Sequence, residues 1–370
     1  MLRLCKKLLL PVITTIVLVG CEPQQPESSL EANLKSLDYN PVSHKSLLDR
    51  SVLPEIPVLS HNLQEAVLNA ISPSECGATK FSEVQGKHFT ALMEDAVAME
   101  NFQHYVYLNR YAPFLPIGDQ YFGKDGEHTQ LVQRLIKDLE RFWDLDKEIK
   151  VYGQHNETLN NRDKLIDILW YLIEDVEEKE HLIPLADEIL YNNSISPVLP
   201  ESPFISSDGY ASHNGSIVVG DGLIQLFAET GLEEEIVWVG ILSHEWAHQI
   251  QFQHLDLWYP LPFENPAERT RTLELEADFF SGYYMTHKRG ATYNWKRAEE
   301  FFELFYQAGD CSFEFEQHHG TPLQRKQASY EGFLLAETAK KKGHILSPGE
   351  LHEFFQQKVI ANVVQQLEYL

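Results

Sequence analysis

The chain has 370 residues, 43% of them hydrophobic and 23% charged, which excludes collagen-like, coiled-coil and generally disordered sequences. Its 55 acidic against 30 basic residues give a net charge of −25, which repels phosphate backbones and argues against a nucleic-acid partner. The length suits roughly two or three domains with a substantial buried core.

Arg3, Lys6 and Lys7 open the chain, and an uncharged apolar run follows from Leu8 to Gly20. That run is shorter than the roughly 20 residues a membrane span requires. It ends in Leu18-Val19-Gly20-Cys21 and passes into a polar, Pro-rich stretch, the layout of an export signal. The Leu-x-Gly-Cys ending resembles the bacterial lipoprotein box. The resemblance implies a signal peptide over 1–20 and a lipidated Cys21 as the new N-terminus, with an ordinary signal peptide as the alternative. The expected location is the bacterial cell envelope, lipid-anchored to a membrane and facing the periplasm. In such an oxidising compartment Cys76 and Cys311 remain, either as one disulfide or as two buried thiols. Residues 21–75 read as the lipidated Cys and a polar tether, with Pro at 23, 26, 41, 54 and 57.

Residues 76–195 read as a helical N-terminal domain. An amphipathic stretch runs from Ala91 to Arg110 and is closed by Pro113 and Pro116. Leu131, Leu135, Leu139 and Phe142 recur at helical spacing, as do Leu165, Ile168, Leu169, Leu172 and Val176. The Pro-rich stretch from Ser196 to Pro203 is the clearest linker signal and marks the expected start of a second domain, 196–335. In that domain Ser216-Ile217-Val218-Val219, bounded by glycines, reads as a strand. Long helices follow from about Glu233 to His254 and from about Pro266 to His287. A C-terminal helical segment occupies 336–370, where Ser347-Pro348-Gly349-Glu350 has the form of a capping box. The expected fold class is α+β, mostly α, with a small sheet.

The chemistry lies in His244-Glu245-Trp246-Ala247-His248, an HExxH motif on a helix. Residues four apart share a helical face, so both imidazoles reach one ion. A catalytic Zn²⁺ takes three protein ligands and keeps a position for water, and Glu245 is placed to act as general base. The third ligand is sought on the next helix, in Glu274-Leu275-Glu276-Ala277-Asp278. Glu274 and Asp278 share a face, so one can bind the metal while the other holds an imidazole from behind. Glu276 points about 160° from Glu274 and reads as solvated.

His244-Glu245-x-x-His248 followed by Glu274-x-x-x-Asp278 resembles the gluzincin pattern of the CAAX-prenyl-protease and membrane heat-shock-protease superfamily. The strings HEWAHQIQ and ELEADFFSG are closer still to the neutral zinc metallopeptidases of bacteria. Downstream, His319-Gly320-Thr321-Pro322-Leu323-Gln324-Arg325 resembles a His-Gly-Thr-x-x-Gln-Arg segment of those peptidases. The resemblance spans roughly 205–335 and implies a zincin-like catalytic domain. It implies one Zn²⁺ per chain on His244, His248 and Glu274, with Glu245 as base and Asp278 orienting a ligand. It also implies Ser216–Val219 as the edge strand of a cleft for a peptide or protein substrate. For the oxyanion, His319 and Arg325 are the leading candidates, with His318, Tyr283 and Tyr284 behind them.

The expected function is therefore an exported, lipid-anchored zinc metallopeptidase. The alternative from another class is a non-catalytic zinc-binding envelope lipoprotein acting as chaperone or assembly factor. A closed structural zinc site is a third reading; it usually adds a fourth Cys or His ligand, and neither remaining Cys lies near the motif in sequence, although Cys311 could approach in space.

Overall fold

The computed structural model describes residues 78–115, 120–145, 148–173, 176–259, 266–291, 295–310, 319–340 and 344–364. The expected signal, the lipidated Cys21, the Cys76–Cys311 pair and His318 lie outside the described residues. The fold is mostly helical with one small sheet, as expected. No described helix is long and apolar enough to cross a membrane.

The first helices are α1 (Lys80–Glu94) and α2 (Ala96–Tyr111). The stretch read as one helix from Ala91 is divided because the Asp95 side chain accepts hydrogen bonds from the N–H groups of Val97 and Ala98. Such a cap satisfies the open donors of a new helix and stops the old one. Helix α3 (Thr129–Trp143) buries Val132, Leu135, Leu139 and Phe142 along one stripe. After it come β1 (Lys150–Gln154), α4 (Arg162–Leu172) and α5 (Ile183–Ile195). The strands β2 (Gly209–Ala211) and β3 (Ser216–Gly220) precede α6 (Asp221–Ala228) and the long α7 (Glu234–Trp258). The chain continues through α8 (Pro266–Thr286), α9 (Trp295–Ala308), α10 (Pro322–Lys340) and α11 (Pro348–Phe354). A π-helical segment, Phe355–Val364, extends α11. The capping box is present: Glu350 N–H meets the Ser347 hydroxyl, and the Glu350 carboxylate accepts from Ser347.

The strand order is β1-β3-β2, with β1 parallel and β2 antiparallel to β3. This corrects the expected cleft edge. Ser216–Val219 lies in the central strand, paired on both sides, and β2 is an edge strand with no outer partner among the described residues. The β1 partner was hidden by its sequence, Lys-Val-Tyr-Gly-Gln, in which only Val151 is β-branched.

Two core clusters divide the interior. One joins α1, α3, β1 and β3 to α6–α11; the other joins α2, α4 and α5 to Leu199 and Ile205. The expected border at 195/196 therefore does not coincide with a packing border, because α3 and β1 belong with the later helices. Leu199, Pro200, Ser202 and Pro203 are buried, so the Pro-rich stretch crosses the interior instead of linking two bodies. The segment between β1 and β2 leaves and returns at one point. There Gln154 Nε2 donates to Asp208 Oδ2 at 2.7 Å, and Asp208 N–H donates to Gln154 Oε1 at 3.2 Å.

Candidate metal centre

Helix α7 is apolar on nearly every side: Ile236, Val237, Trp238, Leu242, Trp246 and Ile250 are all at most 1% exposed. A helix hydrophobic all round belongs in a core. Buried polar residues on it therefore demand partners, and His244, Glu245, Gln249 and Gln251 are such residues. Gln249 Nε2 donates to the Ser212 and Ser216 carbonyls at 2.9 and 3.0 Å. These bonds clamp the β2–β3 turn onto α7 and set β2 beside Glu245.

Three side chains converge as expected. His244 Nε2 and His248 Nε2 are 3.1 Å apart, and Glu274 on α8 lies 3.2 and 3.3 Å from them. Metal–ligand bonds of ~2.0–2.1 Å in a tetrahedron place neighbouring ligand atoms ~3.3 Å apart. The observed spacing matches.

The outer nitrogens are committed. Gln251 Nε2 donates to Leu273 O at 2.8 Å and Glu276 Oε2 at 2.9 Å, which leaves its oxygen facing His248 Nδ1 at 2.8 Å. His248 therefore donates from Nδ1 and directs the Nε2 lone pair inward. His244 Nδ1 sits 2.9 Å from Asp278 Oδ1, a charge contact and not an aligned hydrogen bond. A lone pair on His248, a second imidazole and a buried carboxylate meet at one point, a set that suits a cation once His244 gives up its proton. His244, His248 and Glu274 are a group able to hold a metal ion.

Asp278 is fully buried and takes a two-pronged contact from Arg325, Nε to Oδ2 and Nη2 to Oδ1, both at 2.8 Å. Arg325 lines the cavity, but Nε and Nη2 bond Asp278 and Nη1 bonds the Ala308 carbonyl, which argues against the expected oxyanion role. Burial opposes its charge, but Asp278 and Glu274 outweigh that and hold the guanidinium more strongly protonated than usual. Burial would raise the Glu274 carboxyl; His248, His319 and His244 reverse this and hold it well below the ordinary range. Burial disfavours the charged form of His244, yet Asp278 and Glu274 raise it from 6.5 to about 9. Burial lifts the Glu245 carboxyl above its ordinary value.

These groups line a cavity of about 280 Å³ with Gly209, Tyr210 and Ala211 of β2, Phe305 and His319. Gly209 stands over Glu245: a β-carbon there would come within 3.9 Å of Glu245 Oε1. His319 lies at the cavity wall, where its backbone N–H donates to Asp310 Oδ2 at 2.9 Å. Tyr283 and Tyr284 do not reach the site. They are buried against Phe142, and the Tyr283 hydroxyl accepts from Leu346 N–H.

Four residues were missed by sequence reasoning. Arg110 and Asp208 line the far end of the cavity, 3.5 Å apart, and only tertiary folding brings them there. Gln251 stands three positions after His248, a helical neighbour whose spacing was available to be read. Glu276, read as solvated, is fully buried. The reason is that α8 packs on several sides, so no face of it is left for solvent at this level.

No protein-family model matches this chain, and neither does any curated protein or solved structure.

Proposed function

We propose that the chain is a zinc-dependent metallopeptidase, exported and held at the bacterial envelope by lipid on Cys21. The observation that carries the reading is the convergence of His244, His248 and Glu274 at 3.1–3.3 Å with Glu245 alongside. Two His and one Glu are a ligand set that leaves a fourth position for water, as hydrolytic zinc sites do. When bound, zinc supplies a Lewis acid that acidifies water and polarises a carbonyl.

The remaining steps belong to the protein. An extended peptide pairs with the free edge of β2. Asp208 O and Ser212 N–H bond across to β3, so by antiparallel alternation Gly209 and Ala211 turn their backbone groups outward. A peptide on those groups passes over Glu245. Glu245 accepts the proton of the attacking water as its oxygen bonds the carbonyl carbon. When the C–N bond breaks, Glu245 returns the proton to the leaving amine. Burial of Glu245 strengthens it as a base. His319 is the group at the cavity wall suited to steady the carbonyl oxygen.

Glu245→Gln decides the reading. It keeps the metal ligands and removes the proton acceptor, so zinc stays bound one per chain while cleavage of a peptide library falls at least ~100-fold. Unchanged cleavage by this variant overturns the mechanism.

A further inference from the structure

Glu276 lies two residues from Glu274 on α8 but points away from the cavity, and it is completely buried. Its carboxylate gathers three donors from three places. Gln251 Nε2 on α7 approaches Oε2 at 2.9 Å, and the Tyr259 hydroxyl, just past α7, at 2.7 Å. His352 Nδ1 on α11 approaches Oε1 at 2.7 Å. Burial and the neighbouring carboxylate push the Tyr259 phenol well above its ordinary range, so it remains a donor. A buried carboxylate is costly unless fully partnered, and a packing role alone would be better filled by an apolar side chain.

The position of His352 is set from both ends. The Ser347–Glu350 capping box fixes where α11 begins, one turn earlier. The imidazole itself stacks on Trp258 at 4.3 Å with 5° between the rings. From there the contacts run without a gap: His352 to Glu276, Glu276 to Gln251, Gln251 to His248.

We propose that Glu276, seated by His352 of the C-terminal helix, is a positioning residue for the metal centre, fixing the Gln251 amide and hence the tautomer of His248. The inference rests on the metal reading of His244, His248 and Glu274. Its physical core is the amide. With Leu273 O and Glu276 taking both Nε2 protons, Gln251 can offer His248 only its oxygen. Without Glu276 the amide can turn over and offer N–H to Nδ1. His248 would then carry its proton on Nε2, where the metal must bind.

The test uses the full chain and two probes, Zn²⁺ affinity by competition with a chromophoric chelator and the visible spectrum of bound Co²⁺. Glu276→Met, which keeps the volume and removes the acceptor, should lower Zn²⁺ affinity ~10–100-fold and shift the Co²⁺ spectrum. In a Gln251→Met background the same change should produce no further loss, because the connection is already cut. Wild-type affinity in Glu276→Met, or an equal loss in both backgrounds, overturns the proposal. If Glu276→Met fails to fold by circular dichroism, His352 decides. His352→Ala should weaken Zn²⁺ binding several-fold, and His352→Asn, whose amide can replace Nδ1, should restore it. Equal affinity in all three overturns the proposal. Wild-type protein that binds neither ion overturns the metal reading and this inference with it. Normal binding by wild type and unaffected variants overturns this inference alone.

Discussion

His244 is held from behind by a carboxylate that a guanidinium holds in turn: Arg325 grips Asp278, and Asp278 faces His244 Nδ1. In metal-free protein the surrounding carboxylates keep a proton on His244, raised to about 9 even though burial opposes the charge. That proton contributes stability below the ordinary value of 6.5 and is lost as pH rises through about 9. Metal needs the neutral ring, so loading Zn²⁺ at pH 7 should release close to one proton from this site, falling to about half a proton near pH 9 and less above it. Calorimetric titration in two buffers of different ionisation enthalpy measures it directly; a pH-independent count refutes the assignment. The ligands and Asp278 were readable because helical spacing of four places them on common faces. Glu276 was not. Its angular offset from Glu274 says nothing about exposure once a helix is enclosed on several sides.

At the scale of elements, α8 and α10 approach through glycines. A β-carbon on Gly282 would lie 2.1 Å from Ser329 O, and one on Gly332 would lie 2.1 Å from Phe279 O. Only hydrogen fits at that separation, and the resulting contact is what brings Arg325 to Asp278. Gly282→Ala should therefore destabilise the fold by about 1–3 kcal/mol and also weaken metal binding. Thermal unfolding and a metal titration on the folded fraction separate the two effects. The β2 edge makes a different prediction. Ala211 directs its N–H outward, where proline is tolerated, so Ala211→Pro removes one substrate bond without disturbing β3. KM for peptides should rise several-fold, with zinc affinity unchanged; a change in metal binding instead would show that the strand has moved. Helix α3 was visible in advance from its periodicity, with Val132, Leu135, Leu139 and Phe142 on one stripe. The strand pairing was not, because β1 is short, contains glycine and has its partner far along the chain.

For the molecule as a whole, the three proposed metal ligands join α7 to α8, and the surrounding contacts reach α10 and α11. An ion bound there stabilises the folded state alone. At free Zn²⁺ 100 times Kd the gain is about 2.7 kcal/mol, so chelation should lower the thermal midpoint by several degrees. Glu274→Gln, tested by the same scans, should lose most of that dependence on metal. The expected two-domain division was misleading because the Pro-rich composition of 196–203 belongs equally to linkers and to buried crossings. The order β1-β3-β2 also has a consequence for synthesis. β1 leaves the ribosome roughly 65 residues ahead of β3, an interval of about 3–13 s at ordinary elongation rates. In that time α4 and α5 can gather with α2, the helix that carries Arg110 of the cavity lining, around their own core. A nascent chain halted before His352 already carries His244, His248 and Glu274, but lacks the helix that seats Glu276. On the proposed coupling, full competence for metal is among the last properties that translation confers.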